Sequence, residues 1–189
     1  MRKIIAFNFI SLDGFFEGPN KELDWHLVDT EFHEFAIDQL NEVDTILFGR
    51  VTYQMMEAHW TSSHASLTDP IITGLMYSKS KIIFSRTIDK ADWENSRLIK
   101  ENITEELIKM KYQVGKDMII LGSGSIICLF AELGLIDEYR IMINPVILGM
   151  GNLLFKEANE KHKLKLIKSR IFNSGNVLLF YGTLSSKLN

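Results

Sequence analysis

Between Lys3 and Asn144 short apolar runs alternate with segments of helical period, and this alternation restricts the fold more than any other feature of the chain. "KIIAFNFI" (3–10), "TILF" (45–48), "KIIFS" (81–85), "SRLIK" (96–100), "MIIL" (118–121) and "DEYRIMIN" (137–144) read as strands. Helical spacing separates them. Phe32, Phe35, Ala36, Leu40 and Val43 share one face after Thr30. A short helix follows Gly49, with Thr52 as its cap and Met55 and Met56 toward the core. Pro70 to Tyr77 forms another, and "ITEELIKMKYQ" is amphipathic and capped from Asn102 or Thr104. A last helix covers 125–133 and stops at Gly134, whereas 61–68 reads as a polar, flexible stretch. Strands separated by helices need crossover connections and so pair in parallel. After Pro145 the pattern changes: "KLKLIKSRIF" and "NVLLFYGTL" flank "NSGN" (173–176), a hairpin signal that requires antiparallel pairing. The expected fold is α/β: a mixed sheet of about eight strands with helices on both faces, closed by a C-terminal antiparallel hairpin. The 189 residues suit a single domain, 1–189.

Ligands of open α/β sheets collect at the carboxyl ends of the strands, and three ends here carry small or polar residues. "FGRVTY" supplies Gly49, Arg50 and Thr52, and "FSRT" supplies Ser85, Arg86 and Thr87. "LGSGSI" supplies Leu121, Gly122, Ser123, Gly124, Ser125 and Ile126 at a strand-to-helix turn. Free N–H groups and the dipole of a helix start favour an anion there. The turn lacks the third glycine of a dinucleotide fingerprint and the lysine of a P-loop. Side by side, the three ends would bring together two guanidiniums, several hydroxyls and two helix starts. Two arginines exceed what one pyrophosphate needs and suit an additional phosphate, such as the 2′-phosphate of NADPH.

In joint order and spacing, "SLDG", "VDTILFGRVTY", "KIIFSRT", "GSGSI" and "LIDEYRIMINPVILGMGNLLF" resemble the dihydrofolate reductase-like superfamily. The likeness is strongest to the reductase domain of bacterial riboflavin-pathway deaminase/reductases, and it spans almost the whole chain. The resemblance implies a three-layer α/β/α sandwich binding NADPH across the strand ends, with hydride passing to a pyrimidine- or pteridine-like ring. By position, Gly49, Arg50, Thr52, Ser85, Arg86 and Thr87 would serve the cofactor's phosphates. Leu121 to Ile126 would hold its pyrophosphate. A carboxyl of raised pKa near the acceptor would assist proton delivery; Asp13, beyond the first strand, is the first candidate and Asp29 the second. Asp29 also fits the N-cap of the first helix. Phe15, Phe16 and Trp25 are placed to stack on a flat heterocycle, or to pack in a core. The resemblance further implies a homodimer, to which "YRIMINPVIL" contributes unless that strand is internal. Two other readings fit the same motifs: a non-catalytic NADPH-binding protein that kept the fold, and a phosphate-ester enzyme.

A net charge of −3 and the absence of a basic run interleaved with aromatics argue against nucleic acid. "KHKLKLIKSR" (161–170) alternates like a half-exposed edge strand. No apolar run reaches the length of a membrane span, and "MRKIIAFNFISLDG" is no signal peptide, so a cytoplasmic protein is expected. Cys128, the single cysteine, excludes a disulfide framework, and the five histidines show no metal-ligand spacing. No His-x-Glu with Cys-x-x-Cys occurs, so the expected unit is the reductase domain without a zinc deaminase.

Overall fold

A computed structural model describes residues 1–156 and 160–184. The remaining positions of the expected 1–189 unit lie outside the described residues. One eight-stranded sheet forms the middle layer, in the order β5-β4-β3-β6-β1-β7-β10-β9. Its strands are β1 (Ile4–Ser11), β3 (Val43–Gly49), β4 (Ser80–Phe84), β5 (Ser96–Ile99) and β6 (Asp117–Leu121), then β7 (Glu138–Asn144), β9 (Leu164–Ile171) and β10 (Val177–Thr183). The six strands from β5 to β7 pair in parallel, and β10 runs antiparallel to both β7 and β9. The hairpin turn closes with Gly175 at φ +90°, its N–H donating to Phe172 O at 2.9 Å.

Central strands are mostly apolar because both faces are covered. Against one face pack α5 (Ile103–Tyr112) and α6 (Gly124–Glu132), with Leu107, Met110, Ile127 and Phe130 in a common core with Ile4, Leu47 and Ile120. Against the other pack α1 (Thr30–Glu42), α2 (Arg50–Trp60) and α4 (Pro70–Ser78), placing Phe35, Leu40, Tyr53 and Met76 with Ile5, Ile46 and Phe48. Three layers result, as expected. Gly134 ends the α6 region at φ +64°; its N–H donates to Ala131 O and that of Leu135 to Phe130 O, so the last carbonyls are satisfied.

Several local expectations change. The stretch 61–68 contains a helix, α3 (Ser63–Thr68), because the Ser62 hydroxyl accepts from Ala65 N at 3.1 Å. Helix α2 starts directly from Gly49, so Thr52 lies inside its first turn and caps nothing; Met55 is exposed and only Met56 is partly buried. Asn102 precedes α5 in a left-handed conformation without a side-chain cap bond. A second, two-stranded ribbon pairs β2 (Phe15–Glu17) with β8 (Asn152–Leu153). At Gly151 a Cβ would collide with the carbonyl of Glu17, so only glycine permits this close approach. Strand β7 is internal, between β1 and β10, so "YRIMIN" lies within the sheet.

Candidate functional site

Parallel pairing puts the three strand ends beside one another. Gly49 at the end of β3 pairs with Phe84 at the end of β4, and Leu47 pairs with Ile120 near the end of β6. From these ends the chain turns straight into α2 and α6. The α6 turn uses two successive left-handed residues, Gly122 at φ +65° and Ser123 at φ +62°. In that conformation the Ser123 hydroxyl leaves its own helix uncapped and accepts the N–H of Gly49 at 2.9 Å, tying β3 to the turn. Neither α2 nor α6 has a side-chain cap. At α6 the N–H of Ile126 donates to Ser123 O at 3.0 Å, whereas those of Gly124 and Ser125, like those of Arg50 and Val51, have no acceptor among the described residues; these four residues line one cavity of about 470 Å³. Arg50, Lys21 and Lys156 line the same cavity, as do Ser125 and Thr52. Two helix starts, three cations and two hydroxyls suit a phosphate-bearing ligand. This donor set fits the pyrophosphate of a dinucleotide.

A second cavity of about 380 Å³ adjoins the first, and Phe16, Glu17, Lys21, Val51, Thr52 and Ser123 line both. Gly124 shapes the shared wall, since a Cβ there would stand 3.0 Å from Phe16 Cζ. The second cavity is walled by Phe9, Phe32, Leu40, Met56, Trp60 and Ile72. Away from the shared wall, polar residues interrupt the lining at Asn8, His26, His33, Gln39, His59 and Asp69. His26 stacks on Phe9 at 4.3 Å between ring centres and meets Trp25 edge-on. Burial pushes its pKa down to about 4, so the ring is neutral at physiological pH, and its Nε2 has no hydrogen-bond partner. Gln39 is fixed by Arg140, whose guanidinium also binds Glu138 at 2.7 Å and Glu42 at 2.8 Å.

Of the residues singled out in the sequence, Gly49, Arg50, Thr52, Ser123, Gly124 and Ser125 meet at the first cavity, and Leu121 and Gly122 line the second. Ile126 has its side chain in the core beside Gly49 and lines neither cavity. Ser85, Arg86 and Thr87 also stand outside both linings: the Ser85 hydroxyl accepts from Thr87 N at 3.1 Å in a local turn, with Arg86 exposed. Phe16, not Phe15, meets the ligand space, because neighbours on a strand point to opposite sides. Trp25 is held back by an Nε1 bond to Glu22 O and lines neither cavity.

Both aspartates are engaged elsewhere. Asp13 accepts from the Ser11 hydroxyl at 2.7 Å and from the N–H groups of Gly149 and Leu148. The Ser11 bond above all, with the two backbone donors, holds its carboxyl below the usual range, opposite to the raised pKa a proton donor requires. Asp29 caps α1, accepting from Phe32 N at 2.8 Å. Neither lines a cavity; the carboxyl on the shared wall is Glu17, which accepts from Asn152 Nδ2 at 2.7 Å. Asn8 and Gln39 were legible as polar interruptions, the first inside the run "IIAFNFI" and the second four residues after Phe35 on the apolar face of α1. Lys21, Glu17 and Lys156 carry no comparable signal, because the short β2–β8 ribbon and the segments beside it bring them over the cleft.

The architecture and paired cavities define a protein of the dihydrofolate reductase-like fold. The chain belongs to the RibD C-terminal domain family, whose model it matches over residues 2–178. Bacillus subtilis YyaP, an uncharacterized protein, is 38% identical over 180 residues, covering 95% of this chain and 94% of that protein. A structure from Shewanella sp. PV-4, provisionally named a riboflavin biosynthesis protein, is similar with a TM-score of 0.76 and 25% identity, covering 97% of this chain and 99% of that one. The Thermotoga maritima deaminase/5-amino-6-(5-phosphoribosylamino)uracil reductase shares the fold with a TM-score of 0.69 at 13% identity, over 96% of this chain and 56% of that one. So does Enterococcus faecalis dihydrofolate reductase, solved with NADP(H), with a TM-score of 0.62 at 14% identity, over 97% of each chain. The fold is thus of reductase type. Among the described residues, no helix is long and apolar enough to cross a membrane, and no group of His, Cys, Asp or Glu is arranged to hold a metal ion.

Proposed function

We propose that the chain is an NADPH-dependent oxidoreductase that reduces a small, flat heterocycle. The observation that carries the reading is the pair of uncapped helix starts at one cation-lined cavity, separated from an apolar ring-sized cavity only by a shared wall. Membership of a reductase-domain family and the NADP(H)-bound relative of the fold support it. When bound, NADPH supplies the hydride. The N–H groups at the starts of α2 and α6 receive its pyrophosphate, and Arg50, Lys21 and Lys156 balance the phosphate charge. Arg50, whose Nη1 is lightly held by exposed Gln54 at 3.2 Å, supplies the contact that distinguishes NADPH from NADH. Arg86 adds to the field from the next strand end. Phe16 and Thr52 set the approach of the two ligands along the shared wall, and the aromatic wall keeps water from the reacting ring. Glu17, on that wall, relays a proton to the acceptor. A homodimer is part of the proposal; sedimentation distinguishes it from a 21.7 kDa monomer.

Turnover is followed by loss of the reduced-nicotinamide absorbance on addition of pteridine and pyrimidine acceptors. Glu17→Gln should lower kcat by about 10²–10⁴-fold, the usual yield of general acid catalysis, with NADPH affinity unchanged. An unchanged kcat overturns the role of Glu17. Saturable NADPH binding without turnover on any acceptor returns the chain to a cofactor-binding protein.

A further inference from the structure

We propose that the second cavity selects a neutral, flat ring that presents carbonyl oxygens, and discriminates against rings that present amino groups or carry a phosphate. This rests on the reductase reading above for what happens to the ring, but not for its binding. Two amides carry the argument. Asn8 is buried, and its Oδ1 accepts the N–H of Phe9 at 3.1 Å, so the other end of the amide is the donor Nδ2, which has no partner. Gln39 is 3% exposed; its Oε1 accepts from Arg140 Nη1 at 3.2 Å, and its Nε2 donates to no other described residue. Neither amide can be turned over: reversal would set an NH₂ group against the Phe9 N–H or against a guanidinium. The cation behind Gln39 also polarises its amide and strengthens the remaining N–H as a donor.

Buried polar groups in folded proteins nearly always find partners, so the two amide donors on one cavity are an unmet demand for acceptors; His26 Nε2, also unpartnered on this lining, is a donor in one neutral tautomer and an acceptor in the other. A ring carbonyl meets that demand. An amino group meets it less well, because it brings a second donor to each amide N–H and each amide oxygen already takes one hydrogen bond. Phosphate is disfavoured for a separate reason: no arginine lines this cavity, and Lys21 stands on the wall shared with the cation-rich first cavity. Of the acids on the lining, Asp69 is paired with His33 at 3.2 Å and Glu17 stands on the shared wall, so neither offers a free carboxylate beside the amides. The aromatic and aliphatic wall provides the faces for a flat ring.

The test compares two compounds of one ring system, a pteridinedione methylated on its ring nitrogens and a diaminopteridine. Binding to the protein is measured by calorimetry and by quenching of Trp60, without cofactor. Wild type should bind the dione more tightly by about tenfold or more, the scale of one well-made hydrogen bond. Gln39→Glu keeps the contact to Arg140 but replaces the donor by an acceptor, and should abolish or reverse the preference. Asn8→Leu should weaken the dione alone, and thermal melts verify that each variant is folded. The inference is overturned if the diamine binds as well as the dione, if neither binds at millimolar concentration, or if both variants keep the wild-type preference. A separate NADPH titration keeps the failures apart: NADPH binding without dione preference removes only this inference, and the converse removes only the reductase reading.

Discussion

Ser123 shows how much of the site is decided by single side chains. A non-glycine residue at positive φ costs about 1 kcal/mol, and here the hydroxyl offsets it by taking the N–H of Gly49 in the buried floor of the cleft. His26 is the residue whose chemistry reaches furthest into measurable behaviour. Its folded pKa, about 4, lies below the unfolded value of 6.5, so the fold binds the neutral ring. The associated stability is complete above pH 6.5 and is lost as pH falls toward 4, by about 3 kcal/mol in all. Urea denaturation at stepped pH should show that decline, and His26→Phe should flatten it. An unchanged profile in the variant would mean that His26 is not held neutral by the fold. Asp29 takes the N-cap place that its position before the first helix suggested, whereas what Asp13 does is decided by hydrogen bonds from Ser11, Gly149 and Leu148 that no local pattern announces.

Among the elements, helix α1 separates a capping role from a catalytic one. Asp29→Ala should cost about 1 kcal/mol and lower Tm by a few degrees, while Asp29→Asn, which still accepts from Phe32 N, should preserve both stability and turnover. A loss of turnover in a fully stable Asp29→Asn protein would restore the carboxyl to the mechanism. The regular elements were legible because their signals are local. The period of α1, the branched runs of β3 and β6, the positive-φ glycine after α6 and the glycine turn of the hairpin are all written within a few residues. The β2–β8 ribbon was not, because three residues pair with two from a distant part of the chain and neither segment shows a period of its own. Helix α3 was hidden by its composition: six mostly polar residues whose start depends on one serine hydroxyl. That ribbon matters to function, since it carries Phe16 and Glu17 over the strand ends.

At the scale of the whole molecule, the site exists because the sheet order brings together ends that are far apart in the chain. Gly49, Phe84 and Gly122 belong to three different crossovers, and parallel pairing of β3 with β4 and β6 gathers them into one cleft. The alternation of strands and helices made that gathering foreseeable. The division of the cleft into two cavities was not, because it depends on loops after β1 and β7 whose course has no periodic signature. The proposed reduction requires the first cavity to hold a dinucleotide by its phosphates. The most direct test is a calorimetric titration of the protein with NADPH and, separately, with NADH, repeated on Arg50→Gln. Saturable one-site binding is expected, tighter for NADPH, with the preference reduced about tenfold by the loss of one charge-assisted contact in Arg50→Gln. Absence of binding by either nucleotide at millimolar concentration would contradict the proposed reduction.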